Sequence, residues 1–544
     1  MLKGAERIVG ALRRVMDRVS SDPPARDPAN RTEIAFAILP LCGFVLAIGV
    51  FAVSSPYIRT GFPIDDSWIH QVYARSLAAG HGFAYNEGTQ EAGFTSPLWV
   101  VVTAPAHWLL PLGGTPLVVF GVKGIGVLLG GLSVFLCFLI ARPLIGSPLL
   151  AGIAALLFAV EPRLIFAALS GMEPVLVVAL WMAVTWAALT RRYFLSVVCL
   201  GLMPVARPES AVILPLVLAG IAAAGGRCDG VWRRPATWLC LGLPSVAWAV
   251  FCWTVNGRLL PTTFYLKAAP FAVGPQLAGV AWKHLVQQGW GSEPWLWIGM
   301  VAFGGWLALR GGRESLFAGA ILILAPILYL FGVLSSRFVS LDGYYWTRWV
   351  DPAVLILTSS QAMGLCVLLR APSWMRGIEP IAGGSWPSRW RALPTLLSVV
   401  VAIGILLSLA RWVASFNERR LRLASDIRAV QLTEIEPALW IRDNAARDAV
   451  VGVVDAGAMR YFGERRTIDL MGLNCSQIAF RRVSLREIAP QLDWVVVFPF
   501  WLNSSGLADQ FVPRMWFRMP QAEYTVCPCP GQEVVVVARQ VDDK

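Results

Sequence analysis

The chain has few charged residues for its length. Only 15% of its 544 residues are charged, whereas soluble proteins average about a quarter. Hydrophobic residues make up 56% of the chain, and the mean hydropathy is +0.60. These values exclude an ordinary soluble protein. Repeated apolar runs of about 20 residues indicate a protein that crosses the bilayer many times.

Patterns that bind metals are also missing from the sequence. The four histidines form no cluster, and no spacing among the ten cysteines is typical of a metal site. Most of the cysteines lie in apolar segments, where cysteine is usually a small packing residue. We therefore predict that no metal or other cofactor is required.

Acidic residues are fewer than basic ones, which gives a net charge of +12. In a soluble protein this excess would suggest nucleic acid as a partner. In a membrane protein, Lys and Arg instead mark the cytoplasmic loops, so no nucleic-acid partner is expected. Residues 1–33 lack the short apolar core and cleavage site of a signal peptide. We predict that they form a cytoplasmic arm.

We predict a polytopic α-helical membrane protein with about eleven transmembrane helices within residues 34–413. Five basic connections fall on one side if the N-terminus is cytoplasmic, and the acidic loops then fall on the other. This arrangement requires residues 97–112 to be interfacial or re-entrant. The protein would be a multi-pass protein of a bacterial inner (plasma) membrane, with an outer loop at 55–115. The predicted spans are 34–54, 116–141, 149–166, 174–190, 193–206, 209–225, 236–256, 293–309, 315–335, 349–370 and 393–413.

Residues 414–544 have the patterning of a soluble α/β domain, and an odd number of spans places this domain on the extracytoplasmic side. A helix is predicted at Ala429–Ala446. In an oxidising exterior, Cys475 has Cys527 or Cys529 as a candidate disulfide partner. Buried strands are predicted at Val450–Val454, Arg466–Leu470, Trp494–Phe498 and Glu533–Ala538.

Two adjacent aspartates, Asp65 and Asp66, follow the first predicted span. Aspartate at a helix start is a common capping signal, and the helix dipole there favours the ionised carboxylate. A general base for a hydroxyl nucleophile also requires a carboxylate that stays ionised. The pattern therefore predicts a helix that begins at Asp65. It leaves open whether the pair caps this helix, acts as a base, or does both.

Further charged residues lie in motifs on the same predicted outer face. Glu173, in Ser-Gly-Met-Glu-Pro, fits a solvated loop as well as a functional carboxylate. Arg207 and Glu209, in Ala-Arg-Pro-Glu, fit a salt bridge at the membrane edge, or an arginine that binds a phosphate. Lys267 and Arg348 stand beside aromatic residues, and either could extend to lipid headgroups. Three cations on an otherwise acidic face are nevertheless what a lipid-linked phosphate requires.

These motifs, in this order, resemble the GT-C superfamily of integral-membrane glycosyltransferases, which use polyprenyl-phosphate sugars as donors. The resemblance covers about residues 60–520 and is strongest to the actinobacterial arabinofuranosyltransferase branch. Trp68 and Thr262 depart from the pattern, since a smaller aromatic residue and an asparagine are expected there. The segments that carry the resemblance are 65–99, 170–174, 206–209, 260–267, 345–348, 455–462 and 469–473.

The resemblance implies an inverting transfer of a sugar, with arabinofuranose the best candidate, from polyprenyl (decaprenyl) phosphate to a cell-wall glycan such as arabinan. Asp65 or Asp66 would be the general base. Arg207, Lys267 and Arg348 would bind the donor phosphate. The C-terminal domain would bind the glycan acceptor or serve as a structural lid. The residues expected to bind or orient the substrate are Glu173, Glu209, His70, Tyr265, Tyr345 and Trp346.

Other functions fit the same sequence. Within the superfamily, the donor could be a polyprenyl-phosphate mannose or an aminosugar lipid, and the acceptor a lipid or a protein. From another class, a lipid-linked sugar transporter or flippase would place charges near the middle of the membrane and show internal pseudo-symmetry. Lys123, inside the second predicted span, is the one residue that fits this description. A non-catalytic scaffold would not need the aspartate pair. The oligomeric state is left open.

Overall fold

The computed structural model describes residues 31–223, 229–268, 279, 294–336, 347–375, 393–519 and 533–540. The described part is mostly helical up to residue 444 and contains a β-sheet beyond it. The predicted arm at 1–33 lies almost entirely outside the described residues. Also outside the described residues are Tyr345, Trp346, Cys527 and Cys529.

The longer helices in the first part of the chain overlap the predicted apolar segments, and shorter helices lie between these segments. In chain order they are α1 Arg31–Ser54, α2 Pro56–Thr60, α3 Asp65–Ala78, α4 Pro97–Thr103, α5 Leu110–Ile145, α6 Pro148–Ala159, α7 Pro162–Leu169, α8 Pro174–Leu189, α9 Tyr193–Ala206, α10 Leu214–Ala223, α11 Asp229–Trp232, α12 Pro235–Asn256, α13 Thr262–Lys267, α14 Pro294–Arg310, α15 Gly312–Gly319, α16 Ala325–Ser336, α17 Asp351–Met375 and α18 Leu393–Val430. Short 3₁₀ turns occur at Ala104–Leu109 and Pro208–Ile213, and Ala320–Leu324 joins α15 to α16 as a π-helical turn.

Five helical segments in the described part are long and apolar enough to cross a bilayer, and a sixth is added if the bent pair α6–α7 counts as one span. Four shorter apolar helices, of 10–17 residues, accompany them. The described part thus contains several apolar helices of membrane-crossing length, whereas the number of about eleven spans stays a prediction. The five long segments are Glu33–Ser54, Pro97–Ile145, Pro235–Asn256, Gly312–Ser335 and Asp351–Leu369.

The segment predicted to be interfacial or re-entrant is a short helix and a 3₁₀ turn that lead directly into α5. Backbone angles leave the helical region at Gly113 and Gly114, and Gly114 has φ 65°. Glycine adopts this conformation without the steric cost that other residues incur. The break therefore lies within the first turns of α5. Residues 97–109, which precede it, pack against α3.

A five-stranded sheet forms the core of the C-terminal region. Its strand order is β4-β3-β5-β7-β6, where β3 is parallel to β4 and β5, and β7 is antiparallel to β5 and β6. The elements are α19 Glu436–Asn444, β3 Val450–Val453, α20 Ala458–Gly463, β4 Arg466–Asp469, α21 Ser476–Ala479, α22 Leu485–Ile488, β5 Trp494–Val497, α23 Pro499–Ser505, β6 Phe511–Arg518 and β7 Glu533–Arg539; a separate hairpin comprises β1 Ala84–Asn86 and β2 Thr89–Gln90.

Four of these five strands lie within one or two residues of the predicted ones. Three of the four, β3, β5 and β7, are largely buried runs rich in valine. The prediction missed β6. This edge strand is largely exposed and contains Pro513, next to an irregularity between Pro513 and Met515. Proline and exposed side chains are tolerated at a sheet edge, but they do not produce the buried apolar run that identifies a strand in sequence.

The loop that contains α3 and β1 is attached to the C-terminal sheet by direct hydrogen bonds. Tyr85 donates its hydroxyl hydrogen to the Ala456 carbonyl at 2.7 Å. Asn86 and Thr467 form two reciprocal bonds, from Nδ2 to the Thr467 carbonyl at 2.8 Å and from the Thr467 N–H to Oδ1 at 3.0 Å. The apolar core is continuous across this contact. The position of α3 is therefore fixed by both halves of the chain.

Candidate active site

The two aspartates begin α3, as predicted, but they do not cap it. The N-cap position is Ile64, which has no polar side chain. The Asp65 carboxylate instead accepts hydrogen bonds from the backbone N–H groups of Gly457 and Ala458, each at 2.7 Å. These groups lie just beyond the carboxyl end of β3. Asp65 therefore joins the outer loop to the C-terminal sheet.

Glu434 is a third partner of Asp65, and the sequence analysis did not identify it. Burial raises the pKa of Asp65, although the hydrogen bonds from Glu434 and from the two N–H groups oppose this rise. Burial also raises the pKa of Glu434, and the nearby Asp65 charge raises it further. The rise is larger for Glu434, so burial and the neighbouring charge favour the protonated form of Glu434 in its hydrogen bond with Asp65. This bond depends on tertiary contact, so no local pattern could have revealed it.

Asp66 faces the opposite way and contacts two cations. Lys267 Nζ lies 2.9 Å from Asp66 Oδ2, and Arg348 Nη2 donates to the same oxygen. Burial would raise the pKa of Asp66, but the charges of Arg348 and Lys267 outweigh it, and the pKa lies below its ordinary value. Two cations against one carboxylate give this cluster a net charge of +1. We call these three residues the Asp66 cluster.

A second charged cluster consists of Arg207, Glu173 and Glu209. Arg207 Nη1 lies 2.6 Å from Glu173 Oε1, and Arg207 Nε lies 3.4 Å from Glu209 Oε2. The side chains of Arg207 and Glu173 are each only 2% exposed. One cation against two carboxylates gives a net charge of −1, so this Arg207 cluster is much less suited than the Asp66 cluster to attracting an anion.

Hydrogen bonds between the predicted motifs bring these clusters together. Ser96 Oγ donates to the Ala206 carbonyl at 2.6 Å, and Trp99 Nε1 donates to the Gly171 carbonyl at 2.9 Å. Gly171 has φ 72°, and a Cβ there would meet the Phe62 ring at 2.5 Å. The outer loop is thus bonded to the two motifs that carry Arg207 and Glu173.

The motif that carries Lys267 is bonded to the same loop. The Thr262 N–H donates to the Ala92 carbonyl at 2.9 Å, and Thr263 Oγ1 donates to the Gly93 carbonyl. Because α13 spans only Thr262–Lys267, these two bonds at its start determine where Lys267 lies. No local sequence pattern marks either threonine as a positioning residue.

Both clusters line one cleft, whose empty volume is about 440 Å³ including its mouth. His70 also lines it and is 4% exposed. Burial lowers the pKa of His70, against the charges of Glu173 and Asp66, which raise it. The cleft therefore combines a net positive cluster, a net negative cluster and an imidazole whose burial favours the neutral form.

Most of the predicted site residues meet in this cleft, and two described ones, Asp65 and Tyr265, do not line it. Asp66, His70, Glu173, Arg207, Glu209, Lys267 and Arg348 all line it. Tyr265 is 37% exposed and packs on Phe480, with ring centroids 5.8 Å apart. In the described part of the chain, no group of three or more His, Cys, Asp or Glu side chains is arranged to hold a metal ion.

Comparison of the sequence with known families identifies only the C-terminal region. Residues 424–536 match the family described as "Domain of unknown function (DUF8728)". No curated protein sequence matches the chain.

Comparison with solved structures identifies the fold. ArnT from Cupriavidus metallidurans bound to undecaprenyl phosphate is 14% identical, with a TM-score of 0.53 over 95% of this chain and 99% of that one. AglB, an archaeal oligosaccharyltransferase from Archaeoglobus fulgidus in complex with an inhibitory peptide and a dolichol-phosphate, is 13% identical, with a TM-score of 0.54 over 93% of this chain and 75% of that one. Both are GT-C transferases. The chain therefore has the GT-C fold, while the arabinofuranosyltransferase branch stays a prediction.

Proposed function

We propose that this chain is an integral-membrane glycosyltransferase. It transfers a sugar from a polyprenyl-phosphate donor to a cell-envelope glycan on the extracytoplasmic side of the membrane. The observation that carries the proposal is the cleft, in which a net positive cluster and a net negative cluster lie side by side on a GT-C fold. The first suits a phosphate and the second suits sugar hydroxyls. Arabinofuranose is the best candidate for the sugar.

The donor phosphate binds to Lys267 and Arg348 in this proposal. Both cations already converge on one carboxylate oxygen, so they are placed to hold a second anion without a large rearrangement. Arg207, the third cation expected from the sequence, is enclosed by two glutamates. We assign to Arg207 the role of holding Glu173 and Glu209 in place. Lys267 and Arg348 then bind the phosphate.

Asp66 is the general base in this proposal, because it lines the cleft and Asp65 is engaged with the C-terminal sheet. A phosphate bound to Lys267 and Arg348 offsets the positive charges that lower the Asp66 pKa. The Asp66 carboxylate therefore becomes a stronger base. The acceptor hydroxyl transfers its proton to Asp66, and its oxygen forms a bond to the anomeric carbon. The bond from that carbon to the phosphate oxygen breaks, and its electron pair stays on the phosphate. In-line attack inverts the anomeric configuration.

Sugar transfer by the purified protein in nanodiscs tests this proposal. Polyprenyl-phosphate arabinofuranose, mannose and aminosugar would each be supplied with envelope glycan acceptors. Wild type would be compared with Asp66→Asn, and with Asp443→Asn as a control, because Asp443 is 62% exposed and lies far from α3 in sequence. Loss of a general base lowers rates by roughly 10²–10⁴-fold.

We expect transfer from one donor, lost in Asp66→Asn and kept in Asp443→Asn. Transfer that survives in Asp66→Asn would contradict the assignment of the base. If wild type consumes no donor but moves labelled lipid across the bilayer, the flippase alternative replaces the transferase.

A further inference from the structure

Two hydrogen-bond acceptors in the cleft are buried without a partner among the described residues. They are Nε2 of His70 and Oε2 of Glu173. Both side chains are almost fully buried, with exposures of 4% and 2%. A buried polar atom without a hydrogen-bond partner destabilises the protein, because it has lost its bonds to water. Such atoms in a cleft indicate a ligand that supplies the missing partners.

The backbone determines which form of His70 faces the cleft. Nδ1 of His70 lies 2.9 Å from the carbonyl oxygen of Asp66. A carbonyl oxygen can only accept, so Nδ1 carries the hydrogen. In the neutral ring Nε2 then has a lone pair and no hydrogen. His70 therefore presents an acceptor to the cleft.

Glu173 presents an acceptor for a different reason. Its Oε1 atom is bonded to Arg207 at 2.6 Å, which holds the carboxylate in one orientation. Its other oxygen, Oε2, remains for the cleft. Glu173 and His70 line the same cleft, so a ligand bound there can contact both acceptors.

We propose that His70 Nε2 and Glu173 Oε2 form a subsite that accepts two hydrogen bonds from a pair of hydroxyl groups on one sugar ring. The subsite deepens the function proposed above, since it specifies a hydroxylated sugar beside the phosphate. It excludes an anionic group, because both of its atoms are acceptors and the Arg207 cluster is net negative. A sugar that lacks one of these hydroxyls leaves a buried acceptor unpaired and binds more weakly.

Substitutions at His70 can separate an acceptor from a base. In His70→Asn the amide reaches the position of Nδ1 and leaves nothing at Nε2. In His70→Gln the amide reaches the position of Nε2, so its oxygen can accept a hydrogen bond but cannot take up a proton. His107→Asn is the matched control, because His107 is equally buried at 4% and its Nε2 is already bonded to Gln71 at 3.1 Å.

Binding of farnesyl phosphate, farnesylphosphoryl arabinofuranose and farnesylphosphoryl mannose would be measured by calorimetry in nanodiscs. We expect wild type to prefer a sugar-bearing lipid over farnesyl phosphate by about 10-fold or more. His70→Asn and Glu173→Gln should lose this preference while keeping their affinity for farnesyl phosphate. His70→Gln and His107→Asn should keep the preference.

The preference should also depend on pH. The charged groups that act on His70 are Asp66, on the same helix, and Glu173 and Arg348, from neighbouring elements. Burial lowers the pKa of His70 below its ordinary value of 6.5. Protonation of Nε2 replaces the acceptor with a donor, so wild type should lose its preference only as the pH falls below that value. His70→Gln should show no such loss. A purely structural role for His70 would not produce this difference.

Three results would overturn the subsite. The first is a sugar preference that persists in His70→Asn. The second is an unchanged KM with a lost kcat in His70→Gln, which would make His70 the base. The third is a loss of sugar preference in His107→Asn that equals the loss in His70→Asn.

If wild type binds no farnesyl lipid, the transferase proposal fails. Methyl arabinofuranoside and methyl mannoside then still test the subsite. These methyl glycosides should raise the Tm of wild type but not that of His70→Asn. An equal response of the two proteins would reject the subsite.

Discussion

Asp65 and Asp66 are consecutive residues whose carboxylates have separate partners. Asp65 is bonded to the backbone at Gly457 and Ala458, and Asp66 is bonded to Lys267 and Arg348. Consecutive residues at the start of a helix point in directions about 100° apart, since the helix has 3.6 residues per turn. One residue can therefore attach the loop to the C-terminal sheet while the next faces the cleft.

Replacement of Asp65 should weaken the attachment of the loop without changing the charges in the cleft. In Asp65→Asn the side chain has one acceptor oxygen for two backbone donors. We expect the protein to lose about 1–3 kcal/mol of stability, measured by thermal unfolding in detergent, and to become more susceptible to protease within residues 79–96. The exposed Asp443→Asn variant is the control. An Asp65→Asn protein as stable as wild type would show that these bonds do not hold the loop.

Replacement of Lys267 should weaken phosphate binding and spare the fold. Lys267→Met removes one of the two cations and leaves the ion pair between Arg348 and Asp66. A hydrogen bond to a charged group contributes about 1.5–3 kcal/mol, so affinity for farnesyl phosphate should fall roughly 10- to 100-fold. Calorimetry in nanodiscs measures this loss.

Arg191→Met serves as the control for Lys267→Met. It removes an exposed cation that pairs with Glu314 at 2.9 Å, and its affinity for farnesyl phosphate should equal that of wild type. Equal affinity in Lys267→Met and wild type would mean that the phosphate binds elsewhere, and Arg207 would then be the cation to test.

The sequence predicts the charged residues of the cleft better than their pairing. Asp66, Lys267 and Arg348 were identified because each is a charge beside an apolar segment, where charge is costly and unusual. Their convergence on one oxygen depends on how α3, α13 and the turn before α17 pack together, and no local pattern encodes that. For the same reason, the sequence left open which aspartate faces the cleft.

The fold shows the same division between local and tertiary information. Apolar runs and valine-rich strands can be recognised from the local sequence, and the helices and four strands were predicted from such patterns. Glu434 was missed, since an isolated glutamate within an amphipathic helix is normally exposed. Its burial against Asp65 is a property of the contact between the outer loop and the C-terminal sheet.

Glu91 should make stability depend on pH near neutrality. Burial raises its pKa to about 7 from an ordinary value of 4.5. Between these values the folded protein keeps the proton and the unfolded chain loses it, so stability falls as the pH rises. The full effect is roughly 3 kcal/mol. Glu91→Gln should therefore have a flatter stability profile from pH 5 to 8 and a higher Tm at pH 8.

Glu87→Gln is the control for this pH dependence, because Glu87 is exposed on the same loop. Its profile should follow that of wild type. Asp469, whose pKa burial raises to about 6, remains in both variants and retains part of the slope. A Glu91→Gln profile as steep as that of wild type would assign the whole dependence to Asp469 or other groups.

Trp68 should contribute to the contact between α3 and the C-terminal region through its size. Its ring is fully buried and lies 4.9 Å from the Tyr461 ring and 4.7 Å from the Phe462 ring, measured between centroids. Trp68→Ala leaves a cavity at this contact and should cost about 3–5 kcal/mol. Trp68→Phe keeps a ring and removes a buried N–H that has no partner in the described part of the chain. Trp68→Phe should cost under about 1.5 kcal/mol.

Thermal unfolding compares both Trp68 variants with Trp108→Ala, because the Trp108 ring is 67% exposed. A large loss in Trp68→Phe would mean that the position requires an indole rather than a smaller aromatic ring.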